Sequence, residues 1–256
     1  MKNFCFTIDD NIRFLKEIAE GDLGSMFEHP YLAMLRRLHE KFDLKIQLNL
    51  FYRLGDFDLS MMTDRYAAEW ERVSDWLKLS FHSEWENVCP YEDSGYDEVF
   101  AHCAAVHREI LRFASARSLA KTTTVHYCQT TAEGVRALSD NGVSGLLGLF
   151  GTPERPNTSY SLSEADSAKI RAGQTVRVGG MSYASLDMII NDVKMENIEP
   201  TLRALLSRDA LRVMIHEQYF YEDYRAYQPN FEEKLIAVFS LLCENGYKSC
   251  FFEDLV

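Results

Sequence analysis

The chain has 256 residues, of which 46% are hydrophobic, so it can form a globular core and does not belong to the disordered class. Its formal net charge is −12, from 39 acidic against 27 basic residues. This balance excludes nucleic acid as a main partner, because binding to phosphates requires positive charge.

Strand-like and helix-like segments alternate along the chain. Alternating apolar and polar residues predict strands at 44–51, 77–81 and 211–215, and apolar or β-rich runs predict further strands at 4–6, 122–128, 143–150 and 249–252. Apolar residues at helical spacing predict helices at 11–19, 31–41, 63–76, 96–114, 132–139 and 231–243. Prolines and glycines break this rhythm between 151 and 193, which we interpret as an inserted hairpin-like segment with short strands at 175–178 and 186–190.

Repeated strand–helix units of this length predict a parallel-sheet α/β protein. A chain of about 250 residues has the typical size of a (β/α) barrel. We therefore predict a single domain over residues 1–256, built as a TIM-like barrel with an inserted irregular segment. An open, doubly wound sheet is the alternative.

The predicted compartment is the cytoplasm. The first residues run directly into an apolar strand, which leaves no room for a secretion signal, and no stretch approaches the roughly 20 apolar residues needed to span a bilayer. Six cysteines are scattered without a Cys-x-x-Cys pair, so we expect reduced thiols. They are Cys5, Cys89, Cys103, Cys128, Cys243 and Cys250.

Acidic or imidazole side chains follow four of the predicted strands. Asp9 and Asp10 follow the first strand, and His82, His126 and His216 stand at the ends of three others. In a parallel barrel the carboxyl ends of all strands lie on one rim, so we expect these side chains to converge. The alternative for the acidic pair is that Asp10 or its neighbour only caps the next helix. The remaining histidines have no matching partner and are predicted to be structural: His29, His39, His102 and His107.

Glu86 follows His82 by four residues, so both side chains can reach one ion if the chain turns into a helix there. With Asp10 they would form a set of two carboxylates and one imidazole. That set suits Zn²⁺ or one of the ions Co²⁺, Mn²⁺ and Fe²⁺. The alternative for Glu86 is an acid in the first turn of a helix.

These residues resemble the motifs of the polysaccharide deacetylase (NodB-type carbohydrate esterase) superfamily. Phe6-Thr7-Ile8-Asp9-Asp10 resembles its Thr-Phe-Asp-Asp-Gly motif, and His82-Ser83-x-x-Glu86 resembles its His-Ser/Thr-x-x-His motif. Val213-Met214-Ile215-His216, with the helix and strand that follow, is similar to the C-terminal pattern of the superfamily. The resemblance implies a distorted (β/α)7-type barrel with a divalent metal, Zn²⁺ first.

The resemblance also implies a role for each matching residue. Asp9 would be the general base, and Asp10 and His82 would bind the metal. His216 would be the general acid.

Two positions depart from the pattern of the superfamily. Glu86 stands where a second metal histidine belongs, and Asn11 stands where glycine is usual. His126 has no counterpart in the motifs, so it would replace a lost ligand or support the pocket. Trp85 and Tyr219 are the aromatic residues that we predict in the pocket.

The predicted function is that of a metal-dependent deacetylase, which removes an N- or O-acetyl group from a soluble carbohydrate or a related amide. A small molecule or an oligosaccharide would be the substrate. The departures at Glu86 and Asn11 favour an alternative, a non-catalytic carbohydrate-binding barrel with a decayed metal site. A third hypothesis is a glycosidase that pairs Asp9 with Glu86 or Glu217 and needs no metal.

Overall fold

The computed structural model describes residues 2–86, 91–151 and 159–256. The strands of these residues, numbered in chain order, are β1 Lys2–Asn11, β2 Ile46–Leu54, β3 Phe57–Asp58, β4 Leu77–Trp85, β5 Thr122–Thr124, β6 Gly145–Gly148, β7 Val176–Val178, β8 Met181–Ser185, β9 Met188–Ile189, β10 Ala210–His216 and β11 Tyr247–Ser249. The helices are α1 Arg13–Glu20, α2 Pro30–Phe42, α3 Ala67–Arg72, α4 Tyr96–Phe113, α5 Ala132–Asp140, α6 Glu164–Arg171, α7 Ile198–Leu205 and α8 Phe231–Glu244. None of the helices in these three ranges has the length and apolar character needed to cross a membrane.

Parallel strands follow one another in a ring. β1 pairs with β10 on one side and β2 on the other, and β2 pairs with β4. β5, β6 and β8 form a second parallel ladder. Leu79 of β4 bridges in parallel to Leu119, just before β5, and the chain passes from β8 into β9, which pairs with β10. These strands form two hydrogen-bonded sheets, which meet at the Leu79–Leu119 bridge and where the chain passes from β8 into β9. The order β1-β2-β4-β5-β6-β8/β9-β10 leads back to β1, as in the predicted distorted (β/α)7-type barrel, which is confirmed.

Both faces of the barrel strands are buried, although one face is polar. In β2, Ile46 and Leu48 belong to the main hydrophobic core, while Gln47 and Asn49 between them are equally inaccessible. The Gln47 side chain donates a hydrogen bond to the Thr122 carbonyl on β5. Because β4 lies between β2 and β5 in the ring, this bond crosses the barrel interior. On this side of the barrel the interior is therefore polar, and Ile46 and Leu48 pack outward.

Several predicted elements differ in extent. The helix expected over 63–76 is reduced to the six residues of α3, and the last strand ends at Ser249, before a short 3-10 turn over Phe252–Leu255. Helices α6 and α7 were not predicted. The Ser163 hydroxyl accepts a hydrogen bond from the Asp166 N–H and thereby caps α6. The Ser-x-x-Asp sequence is therefore a signal for the start of this helix.

The segment between 151 and 193 contains the predicted hairpin, since β7 and β8 pair antiparallel. They are joined through Gly179 and Gly180, whose φ angles of 59° and 87° lie in the left-handed region that glycine adopts without strain. β8 also completes the ring, so the segment is partly built into the barrel. The prolines at 153 and 156 lie outside the described residues.

Candidate metal centre

The pairing between neighbouring strands is irregular at the candidate catalytic and metal-binding residues. Between two regular pairs of the β1–β2 ladder, β1 has both Asp9 and Asp10 where β2 has only Asn49. The β2–β4 ladder similarly skips His82. An extra residue in one strand is a β-bulge, which re-aims the side chains around it. Asp10 also has a φ of 63°, and as a result two adjacent aspartates line the same cavity.

Asn11 fills the bulge in β1. Its amide nitrogen donates to the carbonyls of Ile8 at 2.6 Å and Asn49 at 3.2 Å, and its amide oxygen accepts the Tyr31 hydroxyl at 2.9 Å. The side chain is fully buried. Asn11 therefore satisfies backbone carbonyls that the irregular ladder leaves free, which a glycine at this position would not do.

Asp10, His82 and His126 bring three potential ligand atoms together. Asp10 Oδ1 lies 3.0 Å from His82 Nε2 and 3.3 Å from His126 Nδ1, and the two nitrogens are 3.1 Å apart. All three residues are buried. Ligand atoms that share one zinc ion at about 2.1 Å lie roughly 3 to 3.4 Å from one another. The spacing of this triad therefore fits a common metal ion.

The hydrogen bonds of His82 select the tautomer that a metal requires. Its Nδ1 lies 2.5 Å from the Thr124 carbonyl oxygen, which can only accept, so Nδ1 carries the proton. Burial lowers the pKa of His82, which leaves the ring neutral at pH 7 with a lone pair on Nε2. A histidine that donates its outer N–H to a carbonyl and turns its other nitrogen to the site is typical of metal centres.

Asp10 is held as a charged carboxylate. Burial raises the pKa of Asp10, but the hydrogen bond from His126 and the proximity of His82 and His216 outweigh it and hold the pKa well below its usual range. Gln218 Nε2 donates to the other oxygen, Oδ2, at 2.6 Å. The buried Nε2 of His126 has no hydrogen-bond partner among the described residues. One carboxylate with two imidazoles is a set that suits Zn²⁺, Co²⁺, Mn²⁺ or Fe²⁺.

Asp9 and His216 line the same cavity as the triad and face each other in the β1–β10 ladder. Asn49 Nδ2 donates to Asp9 Oδ1 at 2.6 Å. Burial raises the pKa of Asp9 well above its usual value, and the neighbouring charge of Asp10 adds to this. His216 Nδ1 donates to Asn191 Oδ1 at 2.8 Å, and burial lowers the pKa of His216. At neutral pH, His216 is therefore uncharged.

Glu86 lies near the triad without belonging to it. It lines the cavity of about 470 Å³ that contains the triad and an adjoining cavity of about 500 Å³. Burial raises the pKa of Glu86, and the charge of Asp10 raises it further. The third ligand atom of the compact group comes from His126. A ligand role for Glu86 stays a prediction, and His126 takes the position expected for it.

The two aromatic residues predicted in the pocket stand beside it. Trp85 is 43% exposed and lies under the Arg53 guanidinium at 4.4 Å, and it is not among the described residues that line either cavity. Tyr219 packs against the rings of His216 and Tyr224, at 6.0 and 5.2 Å between centroids. Tyr224 is the one of these rings that lines both cavities.

Glu217 has a structural role and is not a catalytic carboxylate. It is fully buried and accepts the backbone N–H groups of Ile12, Arg13 and Phe14 at 2.7, 3.1 and 2.8 Å. Both oxygens are thereby engaged with the start of α1. The glycosidase hypothesis that pairs Asp9 with Glu217 is therefore wrong.

The other histidines and the cysteines have local partners. His29 contacts Glu17, His39 stacks on Trp76, His102 contacts Glu84 and His107 lies against Cys103. Of the cysteines, Cys5, Cys103, Cys128, Cys243 and Cys250 are free thiols, and Cys89 lies outside the described residues. None of these histidines enters the Asp10, His82 and His126 group.

Asn49 and Gln218 are the site residues that the sequence did not single out. Asn49 lies on the polar half of an alternating strand, where polar residues usually face solvent. The signal that could have found it is the barrel prediction itself, because in a barrel that polar half faces the interior rim. Gln218 follows His216 by two residues in a polar run that offers no comparable signal.

Comparison with solved structures gives a fold match to the 4-alpha-glucanotransferase from Thermococcus litoralis, with a TM-score of 0.63 at 13% identity. The match covers 99% of this chain and 40% of that chain, so this chain spans less than half the length of that enzyme. At this identity the similarity concerns the fold alone. No protein-family model matches the sequence, and no curated protein matches it.

Family 4 carbohydrate esterases are also among the matches. An acetyl xylan esterase from Clostridium thermocellum, in complex with a cobalt ion, has a TM-score of 0.49 at 15% identity, over 99% of this chain and 90% of that chain. A family 4 pseudoenzyme from Bacillus anthracis has a TM-score of 0.47 at 14% identity, over 99% of this chain and 65% of that chain.

Proposed function

We propose that the protein is a metal-dependent hydrolase of the deacetylase type, with Asp10, His82 and His126 as the metal ligands. The observation that supports this most is the convergence of three ligand atoms within 3.3 Å at a cavity that Asp9 and His216 also line. We also propose that residues 1–256 act as one deacetylase-like domain in the cytoplasm.

The bound ion would supply a Lewis acid that polarises a carbonyl and lowers the pKa of a water. Asp9 would accept the proton of the attacking water, because it lies beside the ligand Asp10 on the same bulge and its raised pKa favours proton uptake. Asn49 holds one Asp9 oxygen, which orients the carboxylate.

His216 would protonate the leaving amine or alcohol. Its Nδ1 already donates to Asn191, so Nε2 is the nitrogen that would take up and deliver the proton. Burial lowers the pKa of His216, so the protonated ring is a stronger acid than an exposed imidazolium. For the same reason, little of the protein carries this protonated ring at neutral pH. The proton that His216 delivers would therefore be the one that the attacking water gives up to Asp9, so that protons balance over one turnover.

The choice of an acetylated carbohydrate as substrate is supported by the sequence motifs. The cavity of about 470 Å³ reaches the surface, because Tyr127 lines it and is 54% exposed. Its volume is that of a small-molecule site, which fits a small molecule or the end of an oligosaccharide.

The test is metal analysis joined to hydrolysis. Protein purified without chelators is expected to hold one equivalent of transition metal, and to release acetate from N-acetylated chitooligosaccharides or from aryl acetates. Chelation should abolish the activity, and Zn²⁺ or Co²⁺ should restore it. Asp9→Asn should retain the metal and lose at least 100-fold in kcat. The exposed Asp56→Asn, in the turn between β2 and β3, is the matched control and should behave as the wild type.

Two other outcomes would each replace the proposal. A protein that takes up no Zn²⁺, Co²⁺ or Mn²⁺ yet binds oligosaccharides would be a non-catalytic barrel. Hydrolysis of glycosidic bonds that persists with chelator would indicate a metal-independent glycosidase, with Asp9 and Glu86 as its remaining carboxylate pair.

A further inference from the structure

A chain of buried side-chain hydrogen bonds runs through the barrel interior to Asp9. The Thr122 hydroxyl donates to Gln47 Oε1 at 3.0 Å, Gln47 Nε2 donates to Asn49 Oδ1 at 2.7 Å, and Asn49 Nδ2 donates to Asp9 Oδ1 at 2.6 Å. All four residues are at most 2% exposed. The chain connects β5 to β1 through two residues of β2.

The direction of this chain is fixed by a backbone group. Gln47 Nε2 also donates to the Thr122 carbonyl at 2.8 Å, and a carbonyl oxygen can only accept. The amide of Gln47 therefore cannot be reversed without placing two oxygens against each other. Because Gln47 offers its NH₂ to Asn49, Asn49 must turn its oxygen to Gln47 and its NH₂ to Asp9.

We propose that Asn49 and Gln47 are positioning residues, which fix the Asp9 carboxylate as a hydrogen-bond acceptor and set its orientation at the metal centre. The inference rests on the proposed function for its catalytic meaning. Asn49 stands directly opposite the β1 bulge, which re-aims the side chains around it, and its amide donates to the Asp9 carboxylate there. Gln47 acts one step further back, by preventing the Asn49 amide from rotating.

A purely structural role would have a different signature. Buried polar groups need partners wherever they lie, so loss of any buried bond reduces stability. Only the loss of orientation at Asp9 would reduce turnover while substrate and metal still bind. A variant that lowers kcat but keeps KM and metal content therefore indicates a positioning role, and one that loses only stability indicates a structural role.

The variants are Asn49→Leu, which removes the donor to Asp9, and Gln47→Met, which keeps the length of the side chain but frees Asn49 to rotate. Asn49→Leu should lower kcat at least tenfold with KM within threefold and metal content unchanged, and Gln47→Met should lower kcat by a smaller factor. Ser80→Ala is the matched control, because the buried Ser80 hydroxyl donates to the same Thr122 carbonyl at 2.8 Å without belonging to the chain. It should lose stability and keep kcat within twofold.

A second readout does not depend on activity. In ¹⁵N-labelled wild-type protein, one side-chain amide proton of Asn49 should resonate downfield and exchange slowly, and Asp9→Ala should abolish both properties. The signal is assigned by its absence in Asn49→Leu. The inference is overturned if the Asn49 amide does not respond to Asp9→Ala. It is also overturned if kcat is unchanged in Asn49→Leu, or if Asn49→Leu loses as much metal as His82→Ala. A wild type without turnover but with the responsive amide overturns the proposed function and leaves the positioning of Asp9 standing.

Discussion

The backbone at Asp10 determines which side chains meet. In a regular strand, adjacent residues point to opposite faces, so Asp9 and Asp10 could not both line one cavity. The bulge opposite Asn49 and the left-handed φ of 63° at Asp10 remove that restriction. A left-handed aspartate is less costly than most residues in this conformation, because its short polar side chain hydrogen-bonds nearby.

The identity of the third ligand gives the first prediction at this scale. His126→Ala should weaken Zn²⁺ binding at least 100-fold, because it removes a ligand atom that lies 3.1 Å from His82 Nε2. Glu86→Gln should change affinity less than tenfold, because Glu86 lies outside the compact group of ligand atoms and interacts with Asp10 through its charge. Competition with a chromogenic chelator measures both affinities. Equal losses in the two variants would mean that Glu86 moves into the ligand set.

Asn11 gives a second prediction. Asn11→Gly would restore the residue that is usual in the resembled motif, yet it should destabilise the protein by about 2–3 kcal/mol, because two buried carbonyls and a hydroxyl lose their partners. Tyr31→Phe, which removes only one of these bonds, should cost about 1 kcal/mol. Urea unfolding at pH 7 measures both. A glycine variant as stable as the wild type would show that the Asn11 side chain is not needed to stabilise the bulge.

At the scale of elements, α1 is capped from a distant part of the chain. Its own N-cap residue, Ile12, offers no side-chain hydrogen bond. Glu217, at the end of β10, instead accepts three N–H groups of the first turn. This contact joins the loop after His216 to the helix after Asp10, so the two sides of the metal cavity are held by one buried carboxylate.

This cap predicts a pH-dependent stability. Burial raises the pKa of Glu217 to about 7, above its ordinary 4.5. Between these values the folded protein holds a proton that the unfolded chain has released, so the contribution of Glu217 is complete below pH 4.5 and declines as the pH rises through 7. Glu217→Ala should therefore cost about 2–3 kcal/mol at pH 5 and much less at pH 8. Urea unfolding of both proteins at the two pH values tests it. A cost that grows with pH would mean that the carboxylate is bound as an anion.

The elements also show what the sequence can and cannot specify. The strand–helix order predicted the barrel and its rim, and Asp9, Asp10, His82, His126 and His216 all line one cavity, as the rim argument expected. The bulges are invisible to a period-two pattern, because each depends on which residue of the neighbouring strand is paired. The register shift at His82 in the β2–β4 ladder could therefore not be predicted from the sequence.

The polar residues of β2 illustrate the same limit. The alternation in this strand was predicted correctly, but alternation alone does not say whether the polar face meets solvent or a barrel interior. The curved arrangement of β2, β4 and β5 brings Gln47 of β2 into contact with Thr122 of β5, 75 residues later in the chain. Long-range strand pairing therefore determines whether the polar face of an alternating strand meets solvent or a barrel interior.

At the scale of the whole molecule, the ring is closed at a seam where β8 leads into β9. Asp187 lies in that seam with a fully buried side chain, accepts the backbone N–H of Arg212 at 2.8 Å, and forms ion pairs with Arg208 and Arg212. The Arg212 side chain is itself only 3% exposed. The seam thus depends on one carboxylate that compensates a buried guanidinium.

Removal of this carboxylate should weaken the whole barrel. Asp187→Ala would leave Arg212 charged and buried without compensation, and loss of one partner of such a pair typically costs about 3–5 kcal/mol. The control is Arg203→Ala, which removes an exposed pair with Glu199 at 2.7 Å and should cost less than about 1 kcal/mol. Urea unfolding followed by both tryptophan fluorescence and far-UV circular dichroism measures the losses. Because the seam joins two parts of one ring, the two probes should shift together in Asp187→Ala, and separate transitions would mean that the ladders on either side of the seam unfold independently.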